Sequence, residues 1–160
     1  MKQRKKEKMV KIKYQVGDLF ESIDSYKEKI IIAHVCNNKG AWGSGFVIPL
    51  GKKYPLAKSE YLENFEWFDL GETQIVEVDY PTVFVANMFA QTLGGKRPLF
   101  YNALAKCIDE VREEAEIRNA TIIAPMFGAG LAGGNWSFIE ELIEDCWLRN
   151  NIPVTIFKLK

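Results

Sequence analysis

Hydrophobic and polar positions along the chain follow two patterns, continuous apolar runs and apolar residues at helical spacing. Residues 30–36 form a continuous run rich in β-branched side chains, which is typical of a strand buried on both faces of a sheet. Alternating or continuous apolar runs elsewhere indicate further strands. The predicted strands are residues 10–16, 30–36, 74–78, 83–89, 121–126 and 154–159.

Helical spacing appears between these strands. It is clearest after Pro98, a residue that suits the first turn of a helix, where apolar side chains recur through Ala115. Strands that alternate with helices in this way predict an α/β fold, a three-layer α/β/α sandwich around a mixed, mainly parallel sheet. The predicted helices are residues 46–53, 56–67, a long helix from 98, and 136–149.

Charge is distributed unevenly between the beginning of the chain and the rest. The net charge is zero, with 21 basic and 21 acidic residues, but five basic residues and one acidic residue fall in the first eight positions. We therefore predict a flexible basic tail at residues 1–9 and a single domain at residues 10–160. The slightly acidic remainder excludes a general nucleic-acid binder, which would show a broad basic excess, and leaves polyanion contact only to the tail.

Composition excludes several other classes of protein. Apolar residues make up 48% of the chain and charged residues 26%, which excludes a disordered chain and a collagen-like fibre. Three widely spaced cysteines and one histidine do not form a zinc motif, so we expect no metal and no cofactor. Neither a membrane-spanning run nor a signal-peptide pattern is present, and we expect a cytoplasmic, monomeric protein with reduced thiols.

Two glycine-containing loops each follow a buried strand and lead into a helix. The first is residues 37–45 and the second is residues 127–134. Open α/β sheets bind ligands at such positions, because glycine lets backbone N–H groups approach an anion and a helix N-terminus favours negative charge. Two such loops facing each other would suit a diphosphate. The alternative is a pair of tight turns that bind nothing.

Well-known nucleotide and phosphatase motifs do not fit these loops. Gly128, Gly130 and Gly133 form a G-x-G-x-x-G sequence, but in the last βα unit and without an acidic residue ending the next strand. This context excludes a dinucleotide fold of the Rossmann type. Neither loop has the G-K-[ST] of a Walker A motif, and Trp42 stands where a C-x5-R phosphatase beginning at Cys36 would have arginine.

Two polar residues near the predicted loops each allow two interpretations. His34, the single histidine, is either a core residue of its strand or a group that moves a proton near neutral pH. Asp18 either caps a turn or accepts a hydrogen bond from an adenine amino group. Four aromatic residues are either core or able to line a base or ribose pocket: Trp42, Phe127, Trp136 and Phe157.

Taken together, these segments resemble the macro domain family, whose members are ADP-ribose-binding α/β/α modules. The resemblance spans residues 10–159. The segment AHVCNNKGAWGSG with KKYPLAKSEY is similar to the branch that contains yeast ADP-ribose 1″-phosphate phosphatase. The resemblance rests on YQVGDLF at 14–20, on those two segments at 33–45 and 52–61, on GAGLAGGNW at 128–136 and on VTIF at 154–157.

The resemblance implies a role for each matching position. Asp18 would hold the adenine amino group, the first loop would approach the distal ribose and the second would hold the diphosphate. His34 would be the catalytic residue, acting as general acid or base or orienting water. The implied ligand-binding residues are Asp18, Leu19, Asn38, Gly40, Trp42, Gly43, Ser44, Gly45, Phe127, Gly128, Ala129, Gly130, Leu131, Ala132, Gly133 and Phe157.

The implied function is metal-free hydrolysis of ADP-ribose 1″-phosphate to ADP-ribose and phosphate, with ADP-ribose or its 1″-phosphate as the small-molecule ligand. Two alternatives stay open, a non-catalytic ADP-ribose reader and an ADP-ribosyl hydrolase acting on protein or nucleic acid. The sequence departs from the common Asn-Ala-Ala-Asn of the family, with Cys36-Asn37-Asn38-Lys39 in its place. Ala132 stands where related glycohydrolases have their aspartate, which argues against their lysine-adduct chemistry.

Overall fold

The computed structural model describes residues 10–159, so the basic tail predicted for residues 1–9 lies outside the described residues. Its six strands form one sheet in the order β1-β6-β5-β2-β4-β3. Within the described range β3 runs antiparallel to β4, and the other strand pairs are parallel. The strands are β1 Lys13–Val16, β2 Ile30–Asn37, β3 Thr73–Asp79, β4 Val83–Gln91, β5 Thr121–Pro125 and β6 Val154–Lys158.

Helices cover both faces of the sheet. One hydrophobic core forms between the sheet and the faces of α4 and α5, and a second lies under α1, α2 and α3. The predicted three-layer arrangement and its mixed, mainly parallel sheet are therefore confirmed. The helices are α1 Leu19–Ser22, α2 Val47–Lys53, α3 Pro55–Asn64, α4 Tyr101–Arg118 and α5 Trp136–Cys146, with short 3₁₀ turns at Ile23–Ser25, Phe65–Trp67 and Leu148–Asn150.

The element boundaries differ from the predicted ones where backbone hydrogen bonds compete with helix formation. The long helix begins at Tyr101 rather than Pro98, because Leu99 N donates to Ala132 O and Phe100 is extended. Helix α1 was not predicted, and its first turn is capped by the Asp18 carboxylate. The first strand begins at residue 13, the last helix ends at 146, and the strand predicted to end at 89 continues to 91.

Side chains alternate between the two cores along β2, as they do in any strand. Ile31 and Ala33 pack in the core under α4 and α5. Ile30, Ile32 and Cys36 pack on the opposite face, under α2 and α3. His34 shares the parity of this second set and therefore points towards α2 and α3.

Within residues 10–159, no helix combines the length and the apolar character needed to span a membrane.

Trp42 packs closely against helix α2 and limits the size of the side chain that the helix can have at the point of contact. The indole is buried, with 8% of its surface exposed, and its ring centroid lies 5.2 Å from that of Tyr61. A Cβ added to Gly51 would lie 2.9 Å from Trp42 Nε1. Because a buried indole cannot swing away as a flexible side chain could, this helical position requires glycine.

We therefore expect Gly51→Ala to destabilise the protein, although alanine normally stabilises a helix interior by about 1 kcal/mol relative to glycine. Overpacking against the indole should lower the free energy of unfolding by about 1–2 kcal/mol. Urea denaturation measures it. In a Trp42→Phe background the same substitution should cost less, because phenylalanine is smaller. A Gly51→Ala protein more stable than wild type would contradict the packing described.

Candidate functional site

The candidate site lies at the edge of the sheet where the parallel strands end. After β2 the chain passes to α2 and α3 on one face, whereas after β5 it passes to α5 on the other. Strands β2 and β5 are neighbours, so their connections leave the sheet in opposite directions. A crevice forms at such a point in an open α/β sheet, and ligands bind there.

The crevice begins where β2 and β5 stop pairing. Their register runs from Ile30–Thr121 to Ile32–Ile123 and goes no further, although β2 continues to Asn37. Beyond this point His34 and Val35 on one strand and Pro125 on the other line an open cleft. The gap between the two strand ends is thus the floor of the site.

The cleft has two adjoining lobes. The larger has a volume of about 740 Å³ and lies between the two glycine loops. The smaller, of about 280 Å³, lies between the first loop and residues 91–98. Five residues line both lobes, so the two lobes lie side by side: Val35, Ser44, Val47, Gln91 and Leu131.

The first loop is held in shape by a buried amide that sequence reasoning did not single out. Asn37 Oδ1 accepts hydrogen bonds from the backbone N of Lys39 at 2.9 Å and of Ala41 at 3.1 Å. Its Nδ2 donates to Ala41 O at 2.7 Å, and the Tyr61 hydroxyl of α3 donates to Asn37 Oδ1 at 2.8 Å. An asparagine directly after a buried strand was the available signal, because such residues often organise the turn that follows.

His34 lies in the floor of the larger lobe and is a buried core residue, whereas its catalytic role stays a prediction. Only 2% of its surface is exposed, and its Nε2 lies 2.5 Å from Asn87 Oδ1. Burial lowers the pKa of His34 to about 4, although the hydrogen bond to Asn87 opposes this shift. The imidazole is therefore neutral at pH 7.

Asp18 and Leu19 lie at one end of the cleft without lining it. The Asp18 carboxylate is exposed and accepts a hydrogen bond from Phe20 N at 2.8 Å, which caps α1. Leu19 is buried. Gly17 N donates to Lys158 O at 2.9 Å, which holds this segment beside the end of β6, where Phe157 does line the larger lobe. The predicted contact of Asp18 with adenine stays a prediction.

Three further predicted positions do not line the cleft but pack beneath the loops. Asn38 N donates to Gln91 O at 3.1 Å, and a Cβ on Gly40 would lie 2.7 Å from the Phe65 ring. Gly133, at φ +77°, leaves no room for a Cβ because Lys96 O would be 2.4 Å away. The predicted residues that the cleft does bring together are His34, Trp42, Gly43, Ser44, Gly45, Phe127, Gly128, Ala129, Gly130, Leu131, Ala132 and Phe157.

A third loop lines the smaller lobe and was missed by the sequence analysis. It follows β4 and includes Gly94 and Gly95, whose φ values are +84° and +78°. The signal was present, since two glycines stand just after a buried strand in the same setting as the two loops that were singled out. Asn37 and Ala41 also line the cleft and belong to the predicted first loop. Other lining residues that were missed are Val35, Cys36, Phe46, Val47, Gln91, Thr92, Leu93, Pro98, Pro125, Met126, Lys158 and Leu159.

The lining of the cleft suits an anion. Among the described residues that line either lobe there is no aspartate or glutamate. Lys158 is the cationic side chain at the rim, and its Nζ lies 4.5 Å from the centroid of the Tyr14 ring. Binding of a negatively charged ligand would therefore depend mainly on backbone N–H groups of the loops.

Comparisons with known proteins bear on the fold and the family of the chain. No protein-family model matches the chain. A macrodomain protein of Streptomyces coelicolor, whose structure is solved, is 36% identical, with a TM-score of 0.79 over 92% of this chain and 99% of that one. This chain belongs to the macrodomain family. A Bacteroides thetaiotaomicron protein of unknown function is also similar, at 33% identity and a TM-score of 0.87 over 92% of this chain and 98% of its own.

Several curated relatives share one named activity. An ADP-ribose 1″-phosphate phosphatase of Candida albicans is 27% identical over 144 residues, which are 84% of this chain and 92% of that protein. The matched length shows that this macrodomain and the yeast enzyme correspond over nearly their whole lengths. The family resemblance expected from the two glycine loops is thus confirmed.

The lowered pKa of His34 makes the stability of this macrodomain depend on pH. Between about pH 6.5 and pH 4 the unfolded chain binds a proton at His34 that the folded chain does not, so folding weakens as pH falls. From pH 7 to pH 4.5 this one residue should cost about 2–3 kcal/mol. Urea denaturation of wild type and His34→Gln at both pH values isolates the effect. Equal losses in the two proteins would contradict a neutral, buried His34.

Proposed function

We propose that the two-lobed cleft binds ADP-ribose and that the protein hydrolyses ADP-ribose 1″-phosphate to ADP-ribose and inorganic phosphate. The observation that carries the proposal is the cleft itself, an extended groove lined by glycine loops and free of carboxylates among the described residues. Such a groove fits a long dianionic ligand with a diphosphate near its middle. The phosphatase relative from Candida albicans, matched over most of its length, supports the choice of substrate.

We assign each part of the ligand to a different part of the cleft. The diphosphate would lie against residues 128–132, whose backbone N–H groups can approach it closely. The adenosine would extend towards Phe157, on the side where Phe46 stacks against Phe20 with ring centroids 5.3 Å apart. The distal ribose and its phosphate would occupy the smaller lobe, between the first loop and Gly94-Gly95.

The chemistry needs an attacking water and stabilisation of the charge on the phosphate. In the proposed step the water oxygen bonds to phosphorus, and the bond between phosphorus and the sugar oxygen breaks. Backbone N–H groups of the loops would stabilise the developing negative charge. His34, in the floor of the larger lobe and next in sequence to Val35, which lines both lobes, would orient the water.

An alternative function, removal of ADP-ribose from protein or nucleic acid by a lysine and an aspartate, is less well supported. Ala132 occupies the expected aspartate position, and the cleft lining among described residues includes no other carboxylate. Among the described lining residues, which include no carboxylate at all, Lys158 is the lysine, and it lies at the rim beside Phe157. A pure reader of ADP-ribose would use the same cleft without turnover.

The test is release of inorganic phosphate from ADP-ribose 1″-phosphate without added metal. Wild type should turn over many times. Gly130 offers a matched pair of variants, since its φ is not positive and a Cβ there meets open space in the larger lobe. Gly130→Glu should weaken ADP-ribose binding at least tenfold more than Gly130→Gln, because a carboxylate repels the diphosphate while the amide is of similar size.

Calorimetric titration with ADP-ribose on the same preparations separates binding from catalysis. Binding without phosphate release would overturn the phosphatase and leave a reader or an eraser of another linkage. Absence of both binding and release in a folded preparation would overturn the proposed function altogether. Equal binding by the two Gly130 variants would contradict the placement of the diphosphate against the second loop.

A further inference from the structure

Three buried polar side chains form a row across the sheet beneath the cleft. His34 of β2 is paired in register with Asn87 of β4, and Asn87 is paired with Gln74 of β3. Their exposed fractions are 2%, 0% and 7%. Gln74 and Asn87 lie under α3 and contact its carbonyl groups at Glu60 and Ala57. Burying a polar group without a hydrogen-bond partner destabilises the folded state, so each side chain of this row depends on its neighbours for a partner.

The hydrogen bonds of this row run in one direction only. Gln74 Nε2 donates to the backbone Glu60 O at 3.0 Å, and a carbonyl can only accept. Gln74 Oε1 is therefore free to accept from Asn87 Nδ2 at 3.1 Å, and the same Nδ2 lies 3.4 Å from Ala57 O. Asn87 Oδ1 consequently accepts from His34, at 2.5 Å from Nε2. This chain of bonds fixes the imidazole proton on Nε2.

The other ring nitrogen has no comparable partner. Cys36 Sγ lies 3.9 Å from Nδ1 and 3.7 Å from Nε2, and nearly equal distances place the sulfur beside the ring rather than in line with either nitrogen. Among the described residues, no oxygen or nitrogen makes a hydrogen bond to Nδ1. His34 lines the larger lobe, so the unshared pair on Nδ1 is the hydrogen-bonding capacity of this residue that its described neighbours leave for a molecule in the cleft.

No charged group among the described contacts of His34 disturbs this arrangement. The titratable groups that face it are the Cys36 thiol on its own strand and the Tyr61 hydroxyl on α3, beyond Trp42. Burial raises the pKa of Cys36 and of Tyr61, so both are neutral near pH 7. Trp42 and Phe46 contribute aromatic rings, each with its centroid 5.7 Å from that of His34.

We propose that Asn87 and Gln74 are positioning residues that hold the proton of His34 on Nε2 and present Nδ1 to the cleft as a hydrogen-bond acceptor. The catalytic consequence rests on the proposed function. His34 orients the attacking water through Nδ1 and does not act as a general acid. The water gives its oxygen and one hydrogen to phosphorus, its other hydrogen ends on the departing sugar oxygen, and His34 is unchanged.

The tautomer can be measured directly, because the chain has one histidine. Imidazole ¹⁵N NMR of wild type at pH 5.5–8 should show a protonated Nε2 and an unprotonated Nδ1 throughout. Saturating ADP-ribose should shift the Nδ1 resonance more than the Nε2 resonance. A proton on Nδ1, a cationic ring at pH 7, or an unmoved Nδ1 resonance while calorimetry shows ADP-ribose bound would overturn the proposal. The tautomer needs no catalytic activity to be measured.

Variants of Asn87 test the row by its effect on the pH dependence of phosphate release. Asn87→Asp supplies a carboxylate that still accepts from Nε2 but favours the imidazolium, so the pKa of His34 should rise. The rate of phosphate release should therefore decline on the acid side of its pH profile, and the midpoint of this decline should lie at least one pH unit higher than in wild type. KM should change little. Asn87→Leu should lower kcat about tenfold or more, since general acid–base and water-orienting groups contribute at least that much.

Thr155→Val is the matched control, because Thr155 is a buried polar residue of β6, 5% exposed and outside the row. It should leave the pH profile and the NMR signals as in wild type. If the pH profile of phosphate release by Asn87→Asp coincides with that of wild type, the positioning role of Asn87 is overturned, even where phosphatase activity is observed. Absence of phosphate release from every variant and wild type, with the expected tautomer observed, would instead count against the phosphatase step alone.

Discussion

The early end of pairing between β2 and β5 is the constraint on which the site depends. Three register pairs join these strands, from Ile30–Thr121 to Ile32–Ile123, and after them the strands part. Because the chain then leaves β2 and β5 towards opposite faces of the sheet, the two glycine loops flank the gap. If β2 and β5 paired further, the gap between them at His34 and Val35 would close.

Neutral groups dominate the resulting site. The pKa of the single histidine is lowered by burial, and the described residues that line the cleft include no carboxylate. Charge recognition therefore falls to backbone N–H groups and to loop shape. Loop shape in turn depends on buried amides such as Asn37, which binds three groups through Oδ1. A dianionic ligand would meet preorganised dipoles rather than a cluster of cations.

Much of this architecture is visible in the sequence, because it follows from local pattern. The buried run at residues 30–36 and the glycines after it predict a strand and a ligand loop whatever lies elsewhere in the chain. The α/β layering also follows from such patterns, whereas the macrodomain family was indicated by the resemblance of particular segments to its members. Eleven of the sixteen predicted ligand positions line the cleft, and they lie in the loops themselves or at Phe157.

What the sequence does not predict depends on register and on long-range contacts. The row of His34, Asn87 and Gln74 needs the pairing of three strands that are distant in sequence. The start of α4 at Tyr101 depends on a bond from Leu99 N to Ala132 O, and the third loop reaches the smaller lobe only because β4 lies next to β2. Asp18 caps α1, a helix of four residues too short to leave a periodic signal.

A crystal structure of the complex with ADP-ribose would show directly where the ligand lies. We expect the diphosphate against residues 128–132, the adenine near Phe157 and the distal ribose in the smaller lobe beside Gly94 and Gly95. The 1″ position should then lie open to a water that the floor of the cleft can orient. A ligand bound outside the two lobes, or with its adenine in the smaller one, would contradict the account.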